Sequence, residues 1–431
     1  MREMNSDPMT ENTVEYGGRV YLDARASDPR RLGWMQGSPP PTDKQVTFEG
    51  DRFLDFPQIR WSLSHVRELT STVGVRHGDG ACTSLGAPSE ADMFAIDALV
   101  FTDMNGRSRR WDEALVDTYA DGILVLHRGR LVYERYGGAL SAERPHACFS
   151  ITKSYAGALA ASFVHEGVLD DGKAIPHYLP ELRDTAWGDA TLRQVMDMQT
   201  GLAFTEDYAN PRTSFWGYAR AGGLRPRSAN HAEAASLFEY LGTVRKEGAH
   251  GREFAYKTVN TEVMGWVMAR VTGRSFAHLL HERLWEPLGC GEDGYVVVDS
   301  AGMPMVGAGL SASLRDLARF GELMRREGEW NGKQLIEAAV VDDLQRGGDP
   351  TKFAKAGYAL LPGYSYRSMW WVTHNELDAF EGRGIHGQRL YIAPRAELVV
   401  ARFASHPVAP SQGNDPITVP QLLALGRMLR G

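Results

Sequence analysis

The run Ser150-Ile151-Thr152-Lys153 sets a hydroxyl and an amine three residues apart. A serine hydroxyl is a poor nucleophile at neutral pH and needs a base within hydrogen-bond reach. Residues three apart share a helix face, so the lysine supplies that base if the segment is helical. The residues that follow, among them Tyr155, Ala158, Leu159, Ala161 and Phe163, leave no polar face, which predicts a buried central helix. A lysine on the first turn of such a helix is costly without a partner or a task. Burial would lower its pKa and make it a base near neutrality. The helix start also frees backbone N–H groups beside Ser150, where an oxyanion could form. Alone, the motif is weak: Ser-x-x-Lys arises by chance roughly once or twice in a chain this long, and an N-capping serine with a snorkelling lysine is its commoner meaning.

Two further stretches raise its weight. Tyr256-Lys257-Thr258-Val259-Asn260 precedes a helical pattern from Glu262 to Val271. A loop tyrosine beside a Ser/Lys pair can pass a proton between nucleophile and leaving group. Gly382-Arg383-Gly384-Ile385-His386-Gly387-Gln388 leads into the strand-like Leu390-Tyr391-Ile392. Glycines before a strand let a substrate lie along its edge, with a backbone N–H aimed at a carbonyl oxygen. Each stretch also has an ordinary meaning, a half-buried tyrosine and a turn.

The elements that must position these residues fall into a simple order. Residues 1–20 are expected to be disordered, and residues 21–431 to form one domain. Residues 33–70, rich in Pro, Trp and Phe, look like an extended lead-in, and Gly74–Gly86 a loop. Ile123–Leu126 and Leu131–Tyr136 flank His127-Arg128-Gly129-Arg130 as a hairpin. Helical patterns dominate from about 155 to 300 and predict a mainly helical subdomain. Ser311 or Ser313 with Asp316 gives a capping-box look to the start of a helix over 314–326. Strand signals return at 390–392 and 398–403, and 421–429 reads as a closing helix. Strands at both ends of a helical insert imply an α/β fold, an antiparallel sheet flanked by helices.

Composition bounds the function. The chain has 431 residues, 23% charged and 43% hydrophobic, with net charge −7 and no basic stripe, which argues against nucleic acid. Its three cysteines, Cys82, Cys148 and Cys290, lack metal-type spacing and cannot all pair, which suits a reducing compartment. The polar N-terminus lacks the apolar core of a secretory signal, and no stretch is long and apolar enough to span a bilayer. A cytoplasmic protein without a membrane partner is expected. Gly309-Leu310-Ser311-Ala312-Ser313 misses the last glycine of a nucleophile elbow. His278, His281 and Glu282 lack a metal-site spacing and read as a solvated face.

The order Ser-x-x-Lys, tyrosine, glycine-rich strand edge resembles the plan of the serine β-lactamase and penicillin-binding protein superfamily. Within it the chain is most similar to the class C-like 6-aminohexanoate-dimer hydrolases (nylon-oligomer hydrolases). The resemblance rests on Leu32-Gly33-Trp34-Met35 with Pro39-Pro40-Pro41, Arg60-Trp61-Ser62-Leu63-Ser64-His65, Phe149 through Ser154, Met198-Gln199-Thr200-Gly201, Tyr256 with Asn260-Thr261, and Gly384 through Gln388. It implies a β-lactamase/transpeptidase-like fold and a serine hydrolase that cleaves linear amides or esters through an acyl-enzyme. Ser150 would be the nucleophile, Lys153 its proton relay and Tyr256 the acid toward the leaving group. The N–H groups of Ser150 and Ile385 would form the oxyanion hole. Tyr208, on a loop over 204–218 with Phe204, Phe215, Trp216 and Tyr218, would close over substrate, with Thr258 and His386 also binding it. No metal or organic cofactor is implied, the partner is a small-molecule substrate, and a homodimer is compatible. Thr258 stands where β-lactamases carry asparagine, and Gly382-Arg383-Gly384 replaces Lys-Thr-Gly, which argues against efficient β-lactam turnover. A broad carboxylesterase and a non-catalytic ligand-binding relative are the alternatives.

Overall fold

The structure, a computed structural model, describes residues 12–227 and 233–431. Its centre is a seven-stranded antiparallel sheet assembled from both ends of the chain. Beyond an N-terminal hairpin, β1 (Thr13–Tyr16) and β2 (Arg19–Leu22), the sheet strands are β3 (Ala120–His127), β4 (Arg130–Tyr136), β5 (Ser365–Arg367), β6 (Trp370–Val372), β7 (Phe380–Gly384), β8 (Gln388–Ala393) and β9 (Leu398–Ala404). They lie in the order β5-β6-β7-β8-β9-β3-β4. The seam between the chain ends is β9 on β3, in register from Leu398 opposite His127. The β3–β4 turn is tight because Arg128 and Gly129 both take positive φ, 54° and 73°, the geometry that matches strand twist.

Successive strand residues face opposite sides. Leu124, Leu126, Val399 and Ala401 join the main core, while Ile123, Val125, Leu398 and Val400 pack with Trp111, Leu422 and Leu425 on the other face. Burial on both faces explains why these strands are apolar throughout rather than alternating.

The Ser150 helix, α1 (Ile151–His165), is buried from Ile151 through Phe163. It sits against the sheet edge at unusually short range. A Cβ on Gly157 would come within 2.0 Å of the Ser368 carbonyl oxygen, and one on Gly382 within 2.9 Å of the Ser154 hydroxyl. Both glycines are therefore required by close approach. Further helices used below are α2 (Ser214–Ala221), α3 (Val259–Thr272), α4 (Leu314–Arg325) and α5 (Asp415–Arg430). Ser313 caps α4 through the Asp316 amide at 3.1 Å.

Several expectations need correcting. Disorder to residue 20 does not hold for β1 and β2, which pair from Thr13 with Leu22 through Tyr16 with Arg19; residues 1–11 lie outside the described residues. Tyr16 packs on His406 and Tyr119, with ring centroids 4.7 and 6.5 Å apart, contacts invisible to local sequence. Gly74 is not loop but lies in a short strand, Thr72–Val75, opposite Tyr295. The closing helix starts at Asp415, with Pro416 in its first turn, where a proline costs little. Ser311 is a strand residue paired with Ala147 and Tyr295, not a nucleophile elbow. No helix among the described residues is long and apolar enough to cross a membrane.

Candidate active site

A small sheet delivers the chain to Ser150. His146–Ala147 pairs with Leu310–Ala312, and the Cys148 amide donates to the Leu310 carbonyl at 2.8 Å. Phe149 then turns at φ 44°, a costly conformation for an aromatic residue. Ser150 follows as the residue that opens α1. One turn later the Lys153 amine donates to the Ser150 hydroxyl at 2.9 Å and to the Gly307 carbonyl at 2.6 Å. Lys153 is only 1% exposed. Burial pulls its amine down to about 8, against the opposing fields of Glu206 and Glu262. A lysine so placed is poised between its charged and neutral forms near physiological pH.

Tyr256 reaches the same point from the segment before α3. Its hydroxyl interacts with the Ser150 side chain, and the Lys153 amine lies 5.1 Å from its ring centroid. Burial and the nearby Glu206 carboxylate push the phenol well above its usual range, so it is a proton-bearing group. Ser150, Lys153 and Tyr256 thus meet in one cluster, although 106 residues separate the first from the last in sequence.

Ile385 follows the last residue of β7 and lines the cleft with Ser150. Among the described residues neither the Ser150 nor the Ile385 backbone N–H has a protein acceptor. His386, at φ 61°, turns its Nδ1 to the His406 carbonyl at 2.7 Å. Burial pulls that imidazole down to about 4, so it is neutral. Thr258 lines the cleft too, but its amide is taken by Glu206.

Two cavities meet at Ser150, Tyr208 and Ile385. The larger, about 600 Å³, is walled by Leu54, Phe56, Phe149, Phe215 and Trp216. The smaller, about 200 Å³, is walled by Glu206, Tyr256, Tyr358, Trp371 and Arg383. Of the expected lid aromatics, Phe204, Phe215 and Tyr218 are core residues, and only Tyr208 and Trp216 are half-buried. Tyr208 packs on Phe215 with ring centroids 4.7 Å apart and donates to Glu206 at 2.8 Å. The lead-in is tied to this loop through Arg225, which sits 4.8 Å from the Trp216 ring and pairs with Asp51 at 3.0 Å and Asp55 at 3.3 Å.

Arg383, expected from the resemblance to stand in for the β-lactamase cation, has its charge already paired. It binds Glu381 at 2.9 Å and Asp415 at 2.6 Å, while Arg389 binds the same two carboxylates at 3.1 and 2.6 Å. All four side chains are buried. Sequence reasoning missed this tetrad, as it missed Gly307, the acceptor of the second Lys153 hydrogen bond. The run Gly382-Arg383 carried no sign of a partner 32 residues on.

The beta-lactamase family model matches residues 109–423. A 6-aminohexanoate-dimer hydrolase of Paenarthrobacter ureafaciens is 31% identical over 358 residues, covering 83% of this chain and 88% of that protein. The solved structure of a Bacillus anthracis protein assigned by name to the 6-aminohexanoate-dimer hydrolases superposes with a TM-score of 0.81 at 29% identity, over 91% of this chain and 99% of that one. A family VIII carboxylesterase shares the fold at a TM-score of 0.54 and 16% identity, over 79% of this chain and 98% of that one. With its sheet, its buried Ser150 helix and these matches, the chain belongs to the beta-lactamase family, as a hydrolase of that fold.

Proposed function

We propose that Ser150 is the nucleophile of a linear amide or ester hydrolase that works through an acyl-enzyme. The observation that carries this reading is the 2.9 Å contact between a buried lysine amine and the Ser150 hydroxyl. In its neutral form Lys153 takes the proton as Ser150 Oγ attacks the substrate carbonyl carbon. The carbonyl oxygen becomes an oxyanion beside the Ser150 and Ile385 amides. Tyr256 gives its proton to the departing nitrogen or oxygen as the carbonyl–heteroatom bond breaks, and recovers one from Lys153. Water then attacks the acyl-enzyme, passes a proton to the same groups, and releases the acid and Ser150.

Leu54, Phe56, Phe149, Phe215 and Trp216 in the larger cavity suit an apolar stretch of an acyl chain. Arg19, Asp51, Asp55 and Arg220 in the same wall could meet a polar or charged end. Tyr208, Thr258 and His386 border the cavity as substrate-facing residues. The relatives make 6-aminohexanoate oligomers the first amides to test. A β-lactam carboxylate would meet an arginine already neutralised by Glu381 and Asp415, so efficient β-lactam turnover is not part of this reading. The unpaired thiols of Cys82, Cys148 and Cys290 favour a cytoplasmic setting.

A fluorophosphonate probe followed by intact-mass and peptide mapping tests the assignment. One adduct on Ser150 is expected, with ester turnover lost in Ser150→Ala and its melting curve retained. Labelling elsewhere, or turnover in that variant, would refute it. Turnover beyond one equivalent of a p-nitrophenyl ester excludes the non-catalytic alternative.

A further inference from the structure

Lys153 has one acceptor besides Ser150, the Gly307 carbonyl. That carbonyl belongs to an irregular segment between the short strands Gly294–Val297 and Leu310–Ala312. Asp299 accepts the Ala301 and Met303 amides at the start of the segment, and Glu262 holds the part that carries Gly307. Glu262, on the first turn of α3, accepts the Val306 amide at 2.9 Å and the Gly307 amide at 2.8 Å. Its Oε1 also accepts the Tyr218 hydroxyl of α2 at 2.5 Å. Glu262 is 5% exposed and Tyr218 fully buried. The opposite side of this support is open: a cavity of about 310 Å³, walled by Trp266, Met303, Pro304 and Val306, lies behind Glu262. Met305 and Val306 are core residues, so the segment is held by packing as well as by the Glu262 hydrogen bonds.

A buried carboxylate without a cation partner is expensive unless its lone pairs are filled. Burial pushes the Glu262 carboxyl up, while the Tyr218 hydroxyl and the two amides pull it down. The Lys153 ammonium also favours its charged form. The groups around Lys153 are the Ser150 hydroxyl, the Gly307 carbonyl, the Tyr256 ring, Glu206 from the lid and Glu262 from α3. Glu262 thus reaches the amine twice, by its charge and through the Gly307 peptide that its carboxylate orients.

We propose that Glu262 is a positioning residue: by holding the Val306 and Gly307 amides it fixes the Gly307 carbonyl that aims the Lys153 amine at Ser150. The inference rests on the hydrolase reading above. A peptide displaced by even 1 Å moves the second anchor of the amine, and such a displacement costs on the order of 100-fold in rate. Tyr218 supports the same arrangement from α2 with a single neutral hydroxyl, so its removal costs less than roughly tenfold.

The test is the pH profile of kcat/KM on a p-nitrophenyl ester, with fluorophosphonate labelling of Ser150 and thermal melting measured on the same samples. Glu262→Gln is expected to lower the plateau on the order of 100-fold. It should also move the acid limb to lower pH, because a negative charge that favours the ammonium is gone. Labelling of Ser150 should slow in parallel. Tyr218→Phe keeps the carboxylate and both amide bonds. Its limb should stay in place while its plateau falls by between roughly two- and tenfold. A Glu262→Gln profile that keeps the wild-type limb, with only the melting temperature reduced, would overturn the proposal. Should that variant not fold, Tyr218→Phe at the full wild-type plateau would overturn it instead. A wild-type protein that neither turns over ester nor labels on Ser150 would sink the hydrolase reading itself, which is a different outcome.

Discussion

Replacing Lys153 with methionine should leave the protein at least as stable and make it inactive. On folding, burial drags the Lys153 amine from 10.5 to about 8, even with the fields of Glu206 and Glu262 pulling the other way. At about 1.4 kcal/mol per pH unit, keeping that ammonium charged in the core at pH 7 costs about 3 kcal/mol. Methionine removes the charge at similar length but leaves the buried Gly307 carbonyl without its donor, a loss of about 1 to 3 kcal/mol. Lys153→Met should therefore be as stable as wild type or more stable by up to about 2 kcal/mol at pH 7. Below pH 8 the folded and unfolded chains both hold the proton and the whole cost is present. Between pH 8 and 10.5 the unfolded chain binds more protons than the folded one, so wild-type stability climbs with pH relative to the variant's. Urea midpoints of both proteins at pH 7, 9 and 10 measure it. A variant less stable than wild type at pH 7, or a difference that does not move toward wild type as pH rises, would refute the reasoning. The same ionisation governs rate: wild-type kcat/KM should rise about tenfold from pH 6 to 7 and level off above about 8, because only the neutral amine can accept the Ser150 proton.

Tyr256→Phe separates attack from leaving-group departure. An amine departs only when protonated, whereas p-nitrophenolate needs no proton, so kcat/KM on a matched amide should fall about 10- to 1,000-fold more than on the p-nitrophenyl ester; equal losses would confine Tyr256 to the attack step. Tyr208→Phe removes the hydroxyl that ties Tyr208 to Glu206, and should change amide kinetics while leaving the melting temperature within about 1 °C, since one half-buried hydrogen bond contributes little to a chain of this size. A large melting shift with unchanged kinetics would make Tyr208 a packing residue.

What could be read from the sequence is what local geometry decides. Ser150 and Lys153 meet because one helical turn brings them together, and the apolar run through Phe163 announces that the turn is buried. The β3–β4 hairpin was legible because Arg128-Gly129 can take two positive φ angles between apolar strands. The expected capping at the start of α4, made by Ser313 with Asp316, likewise needs only three residues. Motif order carried the family resemblance, because chemistry restricts the residues at those few positions.

Only the tertiary structure decided how the site is finished. Gly307, the second anchor of Lys153, lies 154 residues further along. Glu262 gives no local sign that its carboxylate will face two amides 44 and 45 residues away. Arg383 stood in sequence only as a departure from Lys-Thr-Gly, and nothing local showed that Glu381, Arg389 and Asp415 would close around it. The N-terminal hairpin read as disorder because its strands have four residues each and gain their hold from Tyr119 and His406. In each case the deciding partner is remote in sequence. A buried charge or short strand is then worth its cost only after folding has closed the long loop that brings its partner near.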